Sequence, residues 1–226
     1  MSRVRDVLSS SIGSKALVAV TGIMLFLFLI AHLLGDLLVF AGPDAINAYG
    51  HGLRQMPYGA IWLLRGGLLV TAVAHFWIAI RLSLANRAAR PIAYHRKATV
   101  QASRASLNMI WTGLALLFFL IYHLLHFTFK FAGSPIDRTD NLGRTDVYAM
   151  VIDGFHHPAI ALSYIGAMVF LALHLSHGLS SLFQTLGQRS QRFKAPLNVL
   201  GPALSSAMAL AYISIPVAIW LGFLGP

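Results

Sequence analysis

Apolar residues fall into five long runs, residues 15–40, 60–84, 106–131, 158–186 and 197–224, separated by polar links. Each run can cross about 30 Å of hydrocarbon as an α-helix, some with tilt. The first link, AGPDAINAYGHGLRQMPYG, is rich in Gly, Pro and Asn, which predicts a structured loop or a short interfacial helix. The second, ANRAARPIAYHRKATVQASR, is strongly basic, and the third, AGSPIDRTDNLGRTDVYAMVIDG, carries four Asp and reads as polar loop. The fourth, GQRSQRFKAP, is short and basic. The pattern predicts an all-α membrane protein of five transmembrane helices in one domain, residues 1–226, with no soluble domain or low-complexity tract.

Histidine interrupts four of the runs. His32, His75, the pair His123 and His126, and the pair His174 and His177 all sit among apolar residues. Hydrocarbon holds no water to solvate an imidazole, so each such ring needs a partner, and function is the default reading. Small residues line the fourth run (Ala161, Gly166, Ala167, Ala172, Ser176, Gly178 and Ser180), where another helix or a flat ligand can approach the backbone. Gly22, Gly66, Gly67 and Gly113 read as close helix packing, since no Walker or GxGxxG context surrounds them.

Composition narrows the class. The 226 residues are 57% hydrophobic and 11% charged, against about 25% charged in a soluble domain. There is no Cys, which excludes disulfides and thiolate-bound iron–sulfur clusters within this chain. The N-terminal MSRVRDVLSSSIGSK leads into a run too long for a signal-peptide core and shows no small-residue cleavage site. A formal charge of +10 fits membrane orientation and anionic lipid rather than nucleic acid. Twelve of the seventeen Lys and Arg fall on one side of the predicted topology and six of the seven Asp on the other, with no Glu anywhere. The positive-inside rule then places the N-terminus in the cytoplasm and the C-terminus outside.

Depth follows at 1.5 Å per helical residue. His32 lies about 22 Å beyond Leu17 and His123 about 25 Å beyond Ser106, both on outward-running helices. His75 lies about 20 Å from Trp62 and His174 about 24 Å from Pro158, both on inward-running helices. The rings sort into an outer pair, His32 with His123, and an inner pair, His75 with His174. One His in a membrane helix can be satisfied by a backbone carbonyl and nothing more. Four on four helices, matched by depth, predict two bis-histidine haems stacked across the membrane. His126 and His177 lie one turn beyond their neighbours and suit structural, propionate or quinone contacts. His51, His95, His156 and His157 fall in loops or at interfaces.

Taken together, SSIGSKALVAVTG and LIAHLLGDLLVF in the first run, AVAHFWIAIRL in the second, LIYHLLHF in the third, HPAIALSYIG and LALHLSHGL in the fourth, and QRSQR before the fifth resemble a known family. They are similar to the di-haem cytochrome b anchor of succinate dehydrogenase and fumarate reductase (complex II), of the single-subunit, five-helix type. The resemblance covers nearly the whole chain and selects His123 over His126 and His174 over His177. It implies haem iron held by His75 and His174 near a cytoplasmic partner and by His32 and His123 at the distal site. It implies two haem b, a quinone with menaquinone the working choice, and flavoprotein and iron–sulfur partner subunits; the succinate site belongs to a partner. Electrons from succinate would reach a quinone, or run the other way in fumarate reduction.

Candidate propionate contacts are Lys15, Arg81 and Arg104 on the inner face and Arg65 and Lys130 on the outer. Asp36, His51, Arg54 and Tyr58 form the candidate quinone site, where a carbonyl needs a hydrogen-bond donor and a proton source. There are departures from the family. Some members carry a Glu two residues before the fourth-helix ligand, where this chain has Ala172, and Asp36 stands where relatives often have Asn. Two other readings are open: a b-type subunit of another respiratory reductase, hydrogenase or dehydrogenase, and a non-redox transporter using His relays. The absence of an inverted repeat or an intramembrane Glu or Lys pair disfavours the transporter.

The orientation can be tested directly. A cysteine placed at Ala93, in the basic second link, is expected to resist a membrane-impermeant thiol reagent in intact cells, and ready labelling would reverse the topology.

Overall fold

The computed structural model describes residues 10–89, 108–131, 138–185 and 191–225, with backbone alone at 183, 184 and 191–198. Within them are seven α-helices: α1 (Ser11–Asp36), α2 (Pro43–Arg54), α3 (Ala60–Ala88), α4 (Met109–His123), α5 (Val147–His156), α6 (Pro158–Thr185) and α7 (Gln191–Trp220). Five helical stretches, built on α1, α3, α4, α6 and α7, are long and apolar enough to cross a membrane. They match the five apolar runs to within several residues at each end.

Local chemistry sets the helix ends. Ser10 caps α1, its Oγ accepting the Gly13 N–H at 3.0 Å. A 3₁₀ turn, Leu37–Ala41, then leads through Gly42 (φ 95°) to Pro43 at the start of α2. Asp44 in its first turn and His51 and Arg54 in its last match the helix dipole. The alternative of an interfacial helix in the first link is therefore the one realised. The third link departs from expectation: residues 147–156 form helix α5 rather than polar loop. Asp146 caps it, accepting the Ala149 N–H at 3.0 Å, and its Ala149, Met150, Ile152 and Phe155 are buried. Four Asp dominate the composition of that link, yet Val147–His156, with Asp153 inside it, has the apolar face that forms the helix.

The spans pack α1 on α3, α4 on α6, and α6 on α7 along its length. Lipid is as apolar as Leu, so close helix contact and internal hydrogen bonds hold such a bundle. At the α6–α7 contact a Cβ on Gly201 would come within 2.9 Å of the Ser176 carbonyl and 2.7 Å of Ser180 Oγ, so only glycine allows this approach. Ala161 and Ala167 on the same face of α6 are buried, as the small-residue pattern suggested. Tyr212 of α7 donates its hydroxyl to the Leu29 carbonyl of α1 at 2.8 Å.

Helices α2 and α5 cap one end of the bundle and are joined by a polar network. Asn47, only 1% exposed, accepts the Tyr148 N–H at 3.0 Å and donates to Asp146 at 3.2 Å and Asp140 at 3.4 Å. Arg144 bridges Asp140 at 2.7 Å and Asp44 at 2.8 Å, and Arg138 meets Asp146 at 3.0 Å. Desolvation alone would raise the Asp140 carboxyl, but the backbone amide and guanidinium of Arg144 and the Leu142 amide outweigh it and hold it below the usual range. At Asp146 desolvation is likewise outweighed, by the Ala149 amide, Asn47 and Arg138.

Carboxyls lowered by folding stabilise fully above their unfolded pKa of about 4, and the contribution is lost as pH falls through the lower folded values. Amide exchange in α5 is therefore expected to accelerate below about pH 4. Asn47→Ala, which strands the Tyr148 N–H, should accelerate it at neutral pH through a loss of about 1–3 kcal/mol. Unchanged exchange in that variant would show that the network does not hold the cap.

Candidate functional site

The spanning helices and the cap line an open-sided cavity of about 1030 Å³, beyond the upper end of ordinary small-ligand pockets at about 1,000 Å³. His32, His75, His123 and His174, one from each of α1, α3, α4 and α6, all line it. His126 and His177 do not. The rings of His32 and His123 lie 5.7 Å apart, centroid to centroid, with planes at 72°. The structure thus brings His32 and His123 together, while His75 and His174 line the same cavity.

In each ring one nitrogen has a protein partner. His75 Nδ1 lies 3.1 Å from Thr21 Oγ1, and His174 Nδ1 lies 3.2 Å from Thr112 Oγ1. His32 Nδ1 lies 3.5 Å from Asp36 Oδ1, and His123 Nδ1 lies 3.4 Å from the Tyr164 hydroxyl. This leaves the Nε2 atoms for whatever fills the cavity. Paired imidazoles on separate helices are a donor chemistry that would suit a haem iron. Among the described residues no three His, Cys, Asp or Glu converge on one point.

His126 is kept out of the cavity by a local change of helix. After His123 the chain continues through Leu124–Thr128 as a single wide π turn, a feature frequent at functional sites. Its ring is fully buried, 2.9 Å from the Tyr164 hydroxyl through Nδ1, and a Cβ on Gly154 would stand 3.1 Å from its Cε1. Its Nε2 has no hydrogen-bond partner among the described residues. Tyr164 also packs edge-on against Phe119, Tyr122, Phe127 and Phe155.

The other expected contacts divide. Lys15 and Arg65 line the cavity, Arg65 also resting on the Trp62 ring at 5.0 Å. Arg81 and Lys130 are not among the lining residues, and Arg104 lies outside the described residues. Of the four quinone-site candidates, Asp36 and Arg54 line the cavity, whereas His51 is exposed and Tyr58 fully so, both away from the lining. Asp36 takes His32 rather than Arg54 as its partner. His156 and His157 are exposed, and His95 lies outside the described residues.

Several participants were missed from sequence: Thr21, Thr112, Tyr164, Arg87 at the cavity rim, and the π turn. One signal was present. TGIMLFLFLIAHLLGD from Thr21 and TGLALLFFLIYHLLHF from Thr112 agree at nine of sixteen positions, including Thr, Gly and the His eleven residues on. Leu matches are common in membrane helices, but the shared Thr-Gly and His are not explained that way. No protein-family model, characterised protein or solved structure matches the chain.

Should the cavity take up a haem, His126→Gln is expected to leave pigment content per chain unchanged and His123→Gln to lower it. The reverse result would make His126 the ligand.

Proposed function

We propose that this chain is the membrane anchor of a succinate:quinone oxidoreductase. It holds two haem b in the cavity, one between His32 and His123 and one between His75 and His174. The observation that carries this reading is the convergence of four histidines, each with its Nδ1 engaged by the protein, on one large apolar-walled cavity in a five-span bundle. The bound haems would supply one-electron relay between the two membrane faces.

The chain's own residues supply the rest. The imidazoles fix position through Nε2, and the apolar walls of α1, α3, α4 and α6 exclude water. Lys15 and Arg87 at one end, and Arg54 and Arg65 at the other, offer cationic partners to carboxylates that would be costly to bury alone. On this reading the capped end faces outward and holds a quinone near Asp36 and Arg54. The opposite end, with the basic links, faces the cytoplasm, where flavoprotein and iron–sulfur subunits would dock. The protein would lie in the cytoplasmic membrane, with succinate oxidised or formed on the flavoprotein.

A reduced-minus-oxidised spectrum with haem quantitation on the purified complex is the direct test, and two haem b per chain are expected. His32→Ala and His123→Ala should remove one redox component, and His75→Ala and His174→Ala the other. Loss of the same component from His32→Ala and His75→Ala would break the pairing. Co-purification of hydrogenase, nitrate reductase or formate dehydrogenase subunits instead would keep the cytochrome and change the enzyme.

A further inference from the structure

The inner pair is built twice from one pattern. On α1, Thr21 Oγ1 donates to the Leu17 carbonyl at 2.7 Å and meets His75 Nδ1. On α4, Thr112 Oγ1 donates to the Met109 carbonyl at 3.1 Å, or to that of Asn108 at 3.3 Å, and meets His174 Nδ1. The following glycine repeats the match. A Cβ added at Gly22 would lie 3.4 Å from His75 Cε1, and one at Gly113 would lie 3.4 Å from His174 Cε1. Both glycines line the cavity.

A threonine hydroxyl has one hydrogen. Here it is directed to a carbonyl of its own helix, so toward the histidine the oxygen can only accept. The proton of each neutral ring must therefore sit on Nδ1, and the lone pair on Nε2 is the one left for the cavity. A ring held in the other tautomer would turn an N–H toward a metal and could not ligate it.

We propose that Thr21-Gly22 and Thr112-Gly113 are duplicated positioning seats that lock His75 and His174 in the Nδ1–H tautomer. The pairs α1–α3 and α4–α6 then act as two parallel copies of one unit. Because His32 stands eleven residues after Thr21, and His123 eleven after Thr112, each copy gives one ring to each pair. Both ligands therefore lie between the copies. The tautomer assignment stands on the protein alone; its use for haem rests on the reading given above.

The test uses the full chain in lipid nanodiscs with histidine ring nitrogens labelled with ¹⁵N. Without haem, the wild type should show His75 and His174 as Nδ1–H, assigned by their loss in His75→Ala and His174→Ala. Thr21→Val should shift the His75 signal only, and Thr112→Val the His174 signal only. The serine variants, which keep the hydroxyl, should restore both. With haem, each valine variant should weaken retention of the inner haem alone, about 10- to 100-fold. It should also shift that haem's low-spin resonance, and the outer haem should be unmoved. Wild-type rings protonated on Nε2, or valine variants that change neither signal, would overturn the seats even if two haems bind. A wild type with the expected tautomers that takes up no haem would leave the seats standing and overturn the function proposed for them.

Discussion

A buried imidazole has two nitrogens and, when neutral, one proton. In hydrocarbon neither nitrogen can fall back on water, so the protein must satisfy one and a ligand or a neighbouring group the other. Much of the bundle can be read from this constraint. Each cavity-facing histidine is paired through Nδ1 to a side chain from a neighbouring turn or helix: Thr21, Thr112, Asp36 or Tyr164. Three of the four partners lie on a different spanning helix from their ring, so helix packing and ring orientation are one event. A shift of α1 against α3 would separate Thr21 from His75 as surely as a mutation.

The cap is held by a different kind of interaction. Among the spans, small residues and single hydrogen bonds such as Tyr212 to Leu29 do the joining, because apolar surface gains little by leaving lipid. Between α2 and α5, Asn47, Asp140, Asp146 and Arg144 form a connected set of charge-assisted bonds. Such bonds suit an end that meets water. The cap also lines the cavity, through Ile46, Tyr49 and Arg54 from α2 and Met150, Val151 and Phe155 from α5. Gly35 is where cap and bundle meet most closely, since a Cβ there would stand 2.5 Å from Tyr49 Cε1.

The spans, and the turning of His32, His75, His123 and His174 toward one cavity, were legible in the sequence because both depend on periodic quantities: length of apolar run and rise per residue. The choice of His123 over His126 came from resemblance alone. The structure gives it a cause in the π turn at Leu124–Thr128, which changes the face that His126 occupies. No composition signal marks such a turn. Helix α5 was hidden because four Asp dominated its link, although Val147–His156 carries the apolar face. That His51 and Tyr58 fall outside the cavity lining depends on the path of α2 and the left-handed Tyr58 (φ 55°), which proximity in sequence does not convey. The Thr-Gly repeat was visible but was passed over as helix packing, since each glycine was judged separately.

The point where the two copies stop matching is itself informative. From Thr21 and Thr112 to His32 and His123 the repeat holds, and two leucines follow in both. Then Gly35 and Asp36 stand opposite His126 and Phe127. On α1 this gives His32 a carboxylate one turn away and lets Tyr49 of the cap pack on bare backbone. On α4 it gives the π turn, with His126 and Phe127 packed about Tyr164, the phenol that serves His123. The inner rings therefore share one neutral hydroxyl environment, while the outer rings have one acidic and one phenolic partner. A carboxylate accepting from Nδ1 makes an imidazole a stronger donor through Nε2. The inner rings thus meet two like partners, Thr21 and Thr112, and the outer rings two unlike ones, Asp36 and Tyr164.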